Sequence, residues 1–257
     1  MGGDAEGAIV DCGHRTRTGY IAALADFYLP GTQDYPVRIA AYSLAMGRLY
    51  THNPNDVDAG AFYALSLLAA EAPDDTSLAE KHRAMAVLTP LFVKYPDNPG
   101  VVHYIIHACD NPTMAADGLS AANHYGEIAQ SGPHAFHMHG HIYMQLGLWP
   151  QDIASQLGSI TASQGAVARG ESGIMDEPHS YDFVLYAYLQ SGQDALAKSA
   201  LDQRRTFEDA RVHARYWLRL HARNDPLLSN EASRLLCDRD ARLEVSGRTG
   251  TCGRLAT

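Results

Sequence analysis

The punctuation of this chain constrains its fold more than any other feature. Proline or an Asp/Asn-rich turn recurs in LPGTQDYP, HNPNDVD, APDDTS, YPDNPG, CDNPT, QSGPH, LGLWPQD and MDEPH. These breaks leave room for helices of about 14 to 18 residues and for little else. Between them Ala, Leu, Arg, Gln and Glu dominate, and the β-branched alternation that marks a strand is scarce. The pattern predicts helices over 16–29, 36–52, 56–71, 76–95, 98–110, 114–130, 134–147, 150–168, 177–191 and 194–222. Loops of a few residues force consecutive helices into antiparallel pairs, so the expected class is all-α. The expected division is an extension over 1–15, a helical-repeat domain over 16–222 and a divergent or disordered tail over 223–257.

Composition narrows the partners. The 257 residues are 46% hydrophobic, enough for a sizeable core. A formal charge of −9 and a pI near 5.7 lack the clustered Lys and Arg that nucleic acid or an anionic membrane requires. No run approaches 18 apolar residues, and MGGDAEGAIVDCGHRTR carries acidic residues where a secretory signal is basic, so a cytoplasmic protein is expected. Cys12, Cys109, Cys237 and Cys252 form no CxxC pair and read as reduced thiols, Cys109 being the one placed near the candidate site. The chain has no GxSxG elbow, P-loop or GxGxxG.

Histidines carry the chemistry. His103 and His107 occupy PGVVHYIIHACD, His134, His137 and His141 occupy PHAFHMHGHIY, and His179 opens EPHSYDFVLYAYLQ. At about 100° per residue, positions i, i+3, i+4 and i+7 share one helix face, so each segment presents an imidazole stripe. An i, i+4 pair aims two ring nitrogens at one point, as in HExxH metalloproteases, but their Glu is missing here. Alone, His103 and His107 fit a groove or core pair as well as a ligand pair; with the second stripe, metal is the better reading. His139 points about 100° from its neighbours and leaves that face. His14, His52, His82, His124, His213 and His221 have no partner at useful spacing and are expected to be solvated. Asp110 follows the first stripe as an orienting acceptor or a helix-end carboxylate, and Asp182 follows His179 by three residues. Tyr63 and Tyr104 are candidate walls of a pocket.

Two segments also repeat. YMQLGLWPQDIASQ from Tyr143 and YLQSGQDALAKSA from Tyr188 share an aromatic, a Gly turn and an Ala-rich helix, 45 residues apart. This resembles an elongated tetratricopeptide repeat, in which small residues such as Ala154 and Ala197 let the second helix pack against the first. The stretch NPGVVHYIIHACDNPTMAADGLSAANHYGEIAQSGPHAFHMHGHIYMQLGLWPQDIAS is similar to a family of bacterial tetratricopeptide-repeat proteins carrying HYxIHAxD and PHAxHMxSHI. The likeness runs from about Tyr20 to Leu201. Carried over residue by residue, it implicates His103, His107, Asp110, His134, His137, His141, His179 and Asp182; Gly140 stands where that family has Ser, and His139 where it has Pro. The resemblance implies an α-solenoid of antiparallel helix pairs whose first helices, 98–110, 134–147 and 177–191, line a concave groove where the stripes converge.

Imidazoles without thiolates or clustered carboxylates suit a transition metal, copper most of all, with iron or zinc next, rather than calcium or magnesium. The metal ligands expected are His103, His107, His134, His137, His141 and His179, with His179 and Asp182 as catalytic residues. Five or six histidines exceed one tetrahedral zinc, which leaves room for two ions or for one ion and an acid/base histidine. One function class is an oxygen- or peroxide-using oxidoreductase acting on a small organic substrate. The other is a non-catalytic scaffold whose groove binds a peptide or protein partner.

Overall fold

A computed structural model describes residues 17–28, 31, 34–129, 132–171 and 176–205. The expectations for 1–15 and 223–257, for the last helix beyond 205, and for His14, His213, His221, Cys12, Cys237 and Cys252 fall outside them. The described residues form helices and no strands: α1 (17–27), α2 (Tyr35–His52), α3 (Val57–Ala70), α4 (Ala79–Lys94), α5 (Pro99–Cys109), α6 (Ala115–Ile128), α7 (Pro133–Gln145), α8 (Trp149–Ala168), α9 (Asp176–Gln190) and α10 (Asp194–Arg205). No helix among them is long and apolar enough to cross a membrane.

Prolines start helices rather than merely interrupting them. Pro occupies the first turn of α2, α5, α7 and α8, where its missing N–H is an orphan donor anyway. Asn98 caps α5 by accepting from the Val101 amide at 3.0 Å, and Asp56 caps α3 by accepting from the Ala59 amide at 3.1 Å. The two repeats end their first helices alike. Gly147 (φ 69°) and Gly192 (φ 70°) both take the left-handed conformation. Just beyond them, Leu148 N–H donates to Tyr143 O at 2.9 Å and Gln193 N–H to Tyr188 O at 2.8 Å. That bond closes a Schellman turn, which favours Gly because any Cβ is strained at this φ.

Residues up to Ala197 form one compact unit and those from Lys198 another, of which 198–205 are described. In the second, Lys198 donates to Asp202 one turn on at 2.7 Å. In the first, consecutive helices from α2 to α9 pack against each other. The backbones of the odd helices α3, α5, α7 and α9 also approach one another in succession, which those of the even helices do not, although Phe92 of α4 reaches His124 of α6 with ring centres 6.3 Å apart. α5, α7 and α9, which bear the histidines, lie in the tight row, whose backbones approach one another.

The main core runs through α3 to α7 and includes Leu67, Leu88, Val101, Val102, Ile105, Ile106, Met138 and Ile142, all nearly inaccessible. Each such side chain contributes about 1.5–3 kcal/mol of burial. Beyond α7 the interior turns polar. Ser155, Gln156, Ser159, Ser163, Glu177 and Ser180 are buried in α8 and α9, and Ser180 Oγ donates to Ser159 Oγ at 2.8 Å. These serines, not Ala154, sit at the close approach: Ala154 is exposed, while Ala197 is buried as expected.

Candidate metal centre

α7 brings the central pair. His137 and His141, one turn apart, have their Nε2 atoms 2.8 Å from each other. α9 adds His179 from its first turn, its ring centre 4.4 Å from that of His137 and 6.3 Å from that of His141. One ligand nitrogen from each of the three lies within 4.8 Å of the other two, a grouping able to hold a metal ion. Burial is graded, with His137 at 1% exposure, His141 intermediate and His179 open to solvent.

Two neighbours fix which nitrogens face inward. The Gln156 amide nitrogen donates to Asp152 Oδ1 at 3.0 Å and toward the His137 carbonyl, so its Oε1 is the atom facing His137 Nδ1 at 2.8 Å. An amide oxygen only accepts, so His137 carries its proton on Nδ1 and leaves Nε2 bare. His141 Nδ1 donates to Asp110 Oδ2 at 2.8 Å, and Gln145 donates to the other Asp110 oxygen at 2.9 Å. His141 Nε2 and the bare His137 Nε2 then share one position between them, filled by a proton on His141 or by a cation in its place. Burial raises the Asp110 carboxyl, but the hydrogen bond and charge of His141, with Gln145, outweigh it and hold the group below its ordinary value. Asp110 is thus an acceptor that orients His141, while Asn111 caps the following turn.

The tight row depends on Gly140. A Cβ there would lie 2.1 Å from Gln156 Nε2 and 2.7 Å from Asp152 Oδ1, so the missing side chain is the space the Gln156–Asp152 pair occupies. Asp152 is wholly buried, with one carboxyl oxygen lacking a partner. Burial pushes its pKa up to about 6 against the opposing Gln156 hydrogen bond and His141 charge. His137 is pushed down to about 3, first by burial, then by the charge of His141.

Phe183 closes the centre. Its ring stands edge-on to His137, His141 and His179 at 4.6, 4.8 and 5.2 Å. It lies one helical turn after His179, a spacing visible in the sequence but outweighed by Asp182. Asp182 itself is exposed on α9 and is not among the groups whose ligand atoms gather here.

The remaining stripe residues adjoin the trio without joining it. His103 lies between the rings of Tyr104 and Tyr125 and meets His107 at 4.7 Å and His134 at 5.1 Å. Its Nε2 is buried with no partner, a cost of about 1–3 kcal/mol if left so. Burial, followed by the charges of His107, His134 and His141, lowers it to about 3. His107, though its side chain reaches solvent, is also held below its ordinary value by local burial and by His141 and His134.

Other sequence candidates fall elsewhere. His139 leaves the site face, as its helical angle requires, and is buried against Gly126 and Tyr143; burial lowers it to about 4. His124 is not simply solvated: it is half-buried, with Nε2 2.8 Å from Asp97 Oδ1 and Nδ1 3.3 Å from Glu127 Oε2, while His52 and His82 are exposed. Cys109 belongs to the core, its Sγ 3.6 Å from Met85 Sδ. Tyr63 walls an open cavity of about 630 Å³ formed by α2, α3 and α4 with Arg48, His52 and Arg83, while Tyr104 stacks on His103. Comparison of the chain with protein-family models, curated proteins and solved structures finds no match.

Proposed function

We propose that this chain is a metal-dependent oxidoreductase on tetratricopeptide-like helix pairs, holding a transition-metal ion at His137, His141 and His179. The observation that carries this reading is the gathering of three imidazoles, with the Nε2 atoms of His137 and His141 2.8 Å apart. With both Nδ1 protons committed to Gln156 and Asp110, the position between the two Nε2 atoms takes either one shared proton or a metal cation that displaces it. The donors are all imidazole, which selects copper first and iron or zinc next. An ion bound by neutral ligands keeps its charge and supplies Lewis-acid chemistry and, for copper or iron, electron transfer.

The chain's own residues do the rest. Gln156 and Asp110 hold two rings in one tautomer, Phe183 keeps water from one side, and the exposed His179 marks the side open to substrate. Asp182, three residues beyond His179, is assigned to accept a proton from the substrate. The overall reaction removes two electrons and two protons from a small organic substrate; dioxygen takes them up as hydrogen peroxide, or peroxide takes them up as two waters. The cytoplasm suits a protein whose Cys109 is a free, buried thiol. Oxygen uptake by copper- or iron-loaded protein across a metabolite panel is the test, with Asp182→Asn expected to lower kcat. No turnover under copper, iron or zinc loading, together with a stoichiometric peptide partner, would replace the enzyme by the scaffold that such helix pairs also support.

A further inference from the structure

We infer that His103, His107 and His134 hold a second transition-metal ion beside the first, an inference that rests on the metal reading of the trio. Metal–imidazole bonds of about 2.0–2.1 Å place two rings on one ion with centres roughly 5 Å apart. The trio's rings are separated by 4.4, 4.6 and 6.3 Å. In the second set His103 is 4.7 Å from His107 and 5.1 Å from His134; only the trio among the described residues already has its ligand nitrogens within 4.8 Å of one another, so a side-chain turn of the exposed His107 or His134 completes the second set. The helical logic repeats too, with an i, i+4 pair from one helix completed by a ring from the next helix of the tight row.

The independent observation is His103 Nε2, which is buried and has no hydrogen-bond partner. Tyr104 and Tyr125 stack on its ring, 5.6 and 5.7 Å between centres, so that nitrogen is held in position by packing. A borderline divalent cation is what an imidazole in that position binds, and no carboxylate or thiolate is needed to complete the class. His134 and His137, one from each set, have ring centres 6.1 Å apart, so the two ions are neighbours and a substrate oxidised by two electrons meets both.

The test is Zn(II) loading of the full, untagged chain, gel filtration, and metal counting in the wild type, His103→Ala, His134→Ala and His179→Ala. Two ions in the wild type and one in each variant is the expected result. His134 is exposed, so His134→Ala keeps the fold and decides the matter even if His103→Ala does not fold. One ion in the wild type, released by His179→Ala and kept by His103→Ala and His134→Ala, overturns the second site and leaves the trio standing, whereas one ion kept by His179→Ala overturns the trio. No ion in the wild type overturns the trio reading as well.

Discussion

Replacing Gly140 with Ala separates packing from helix propensity. By propensity alone the change stabilises an α-helix by about 1 kcal/mol. In this chain the new Cβ would meet the Gln156 amide nitrogen at 2.1 Å and Asp152 Oδ1 at 2.7 Å, both wholly buried. Overpacking costs about 1–3 kcal/mol. Displacing the Gln156 amide leaves His137 Nδ1–H and Asp152 without partners, about 1–3 kcal/mol more. The net expectation is a loss of about 1–5 kcal/mol, and its middle value of about 3 kcal/mol lowers Tm by roughly 6–12 °C for a domain of this size. Freed of Gln156, His137 also loses its tautomer, so metal affinity drops about 10–100-fold. Thermal unfolding followed by circular dichroism reads the first effect and competition with a chelator the second. The double variant with Gln156→Ala should be less than additive, because the clash is removed. A Gly140→Ala protein as stable as the wild type, or more so, would refute the tight-row account.

Asp110→Asn should keep the fold and weaken metal binding about 10–100-fold, since an amide no longer forces the proton onto His141 Nδ1; unchanged affinity would reduce Asp110 to a helix-end residue. Metal-free protein should lose stability as pH falls below about 6.5. His103, His137 and His139 stay neutral in the fold to about 3, 3 and 4 but take up protons when unfolded. Their contribution is complete above pH 6.5 and is lost on the way down, at up to about 1.4 kcal/mol per pH unit for a fully buried ring. Asp152, raised to about 6, gains protonated-form stability over part of the same range and offsets one ring. Denaturant midpoints that rise from pH 7 to pH 5 would contradict this balance. The Cys109 thiol, pushed up to about 12 by burial and then by Asp117, should resist alkylation in the folded chain and react once it is unfolded, as read by peptide mapping.

The helices were legible because their ends are written in local chemistry: Pro99 and Pro133 in first turns, Asn98 and Asp56 as caps, Gly147 and Gly192 where φ is positive. Each of those signals acts within a few residues. The imidazole stripes were legible for the same reason, since His137 and His141 share a face by helical geometry alone. What decides the site beyond them comes from across helix interfaces, where the sequence has no ruler. Nothing local says that Gln156 fills the space above Gly140, that Asp97 meets His124 from 27 residues away, or that His103 sits between two tyrosines. Phe183 carries a local signal, one turn after His179, but a phenylalanine at that spacing reads as core. Ala154 misled for the opposite reason: a small residue marks a close approach only on the packed face, and the serines of α8 occupy that face.

The central claim is that three imidazoles on α7 and α9 hold a metal ion. Elemental analysis of full-length protein purified without an affinity tag, compared with His137→Ala/His141→Ala, tests it most directly. Stoichiometric transition metal in the wild type and loss of the trio's ion in the double variant, with the helical circular dichroism retained, is the expected result. Metal-free wild-type protein that takes up no copper, iron or zinc on titration would contradict it.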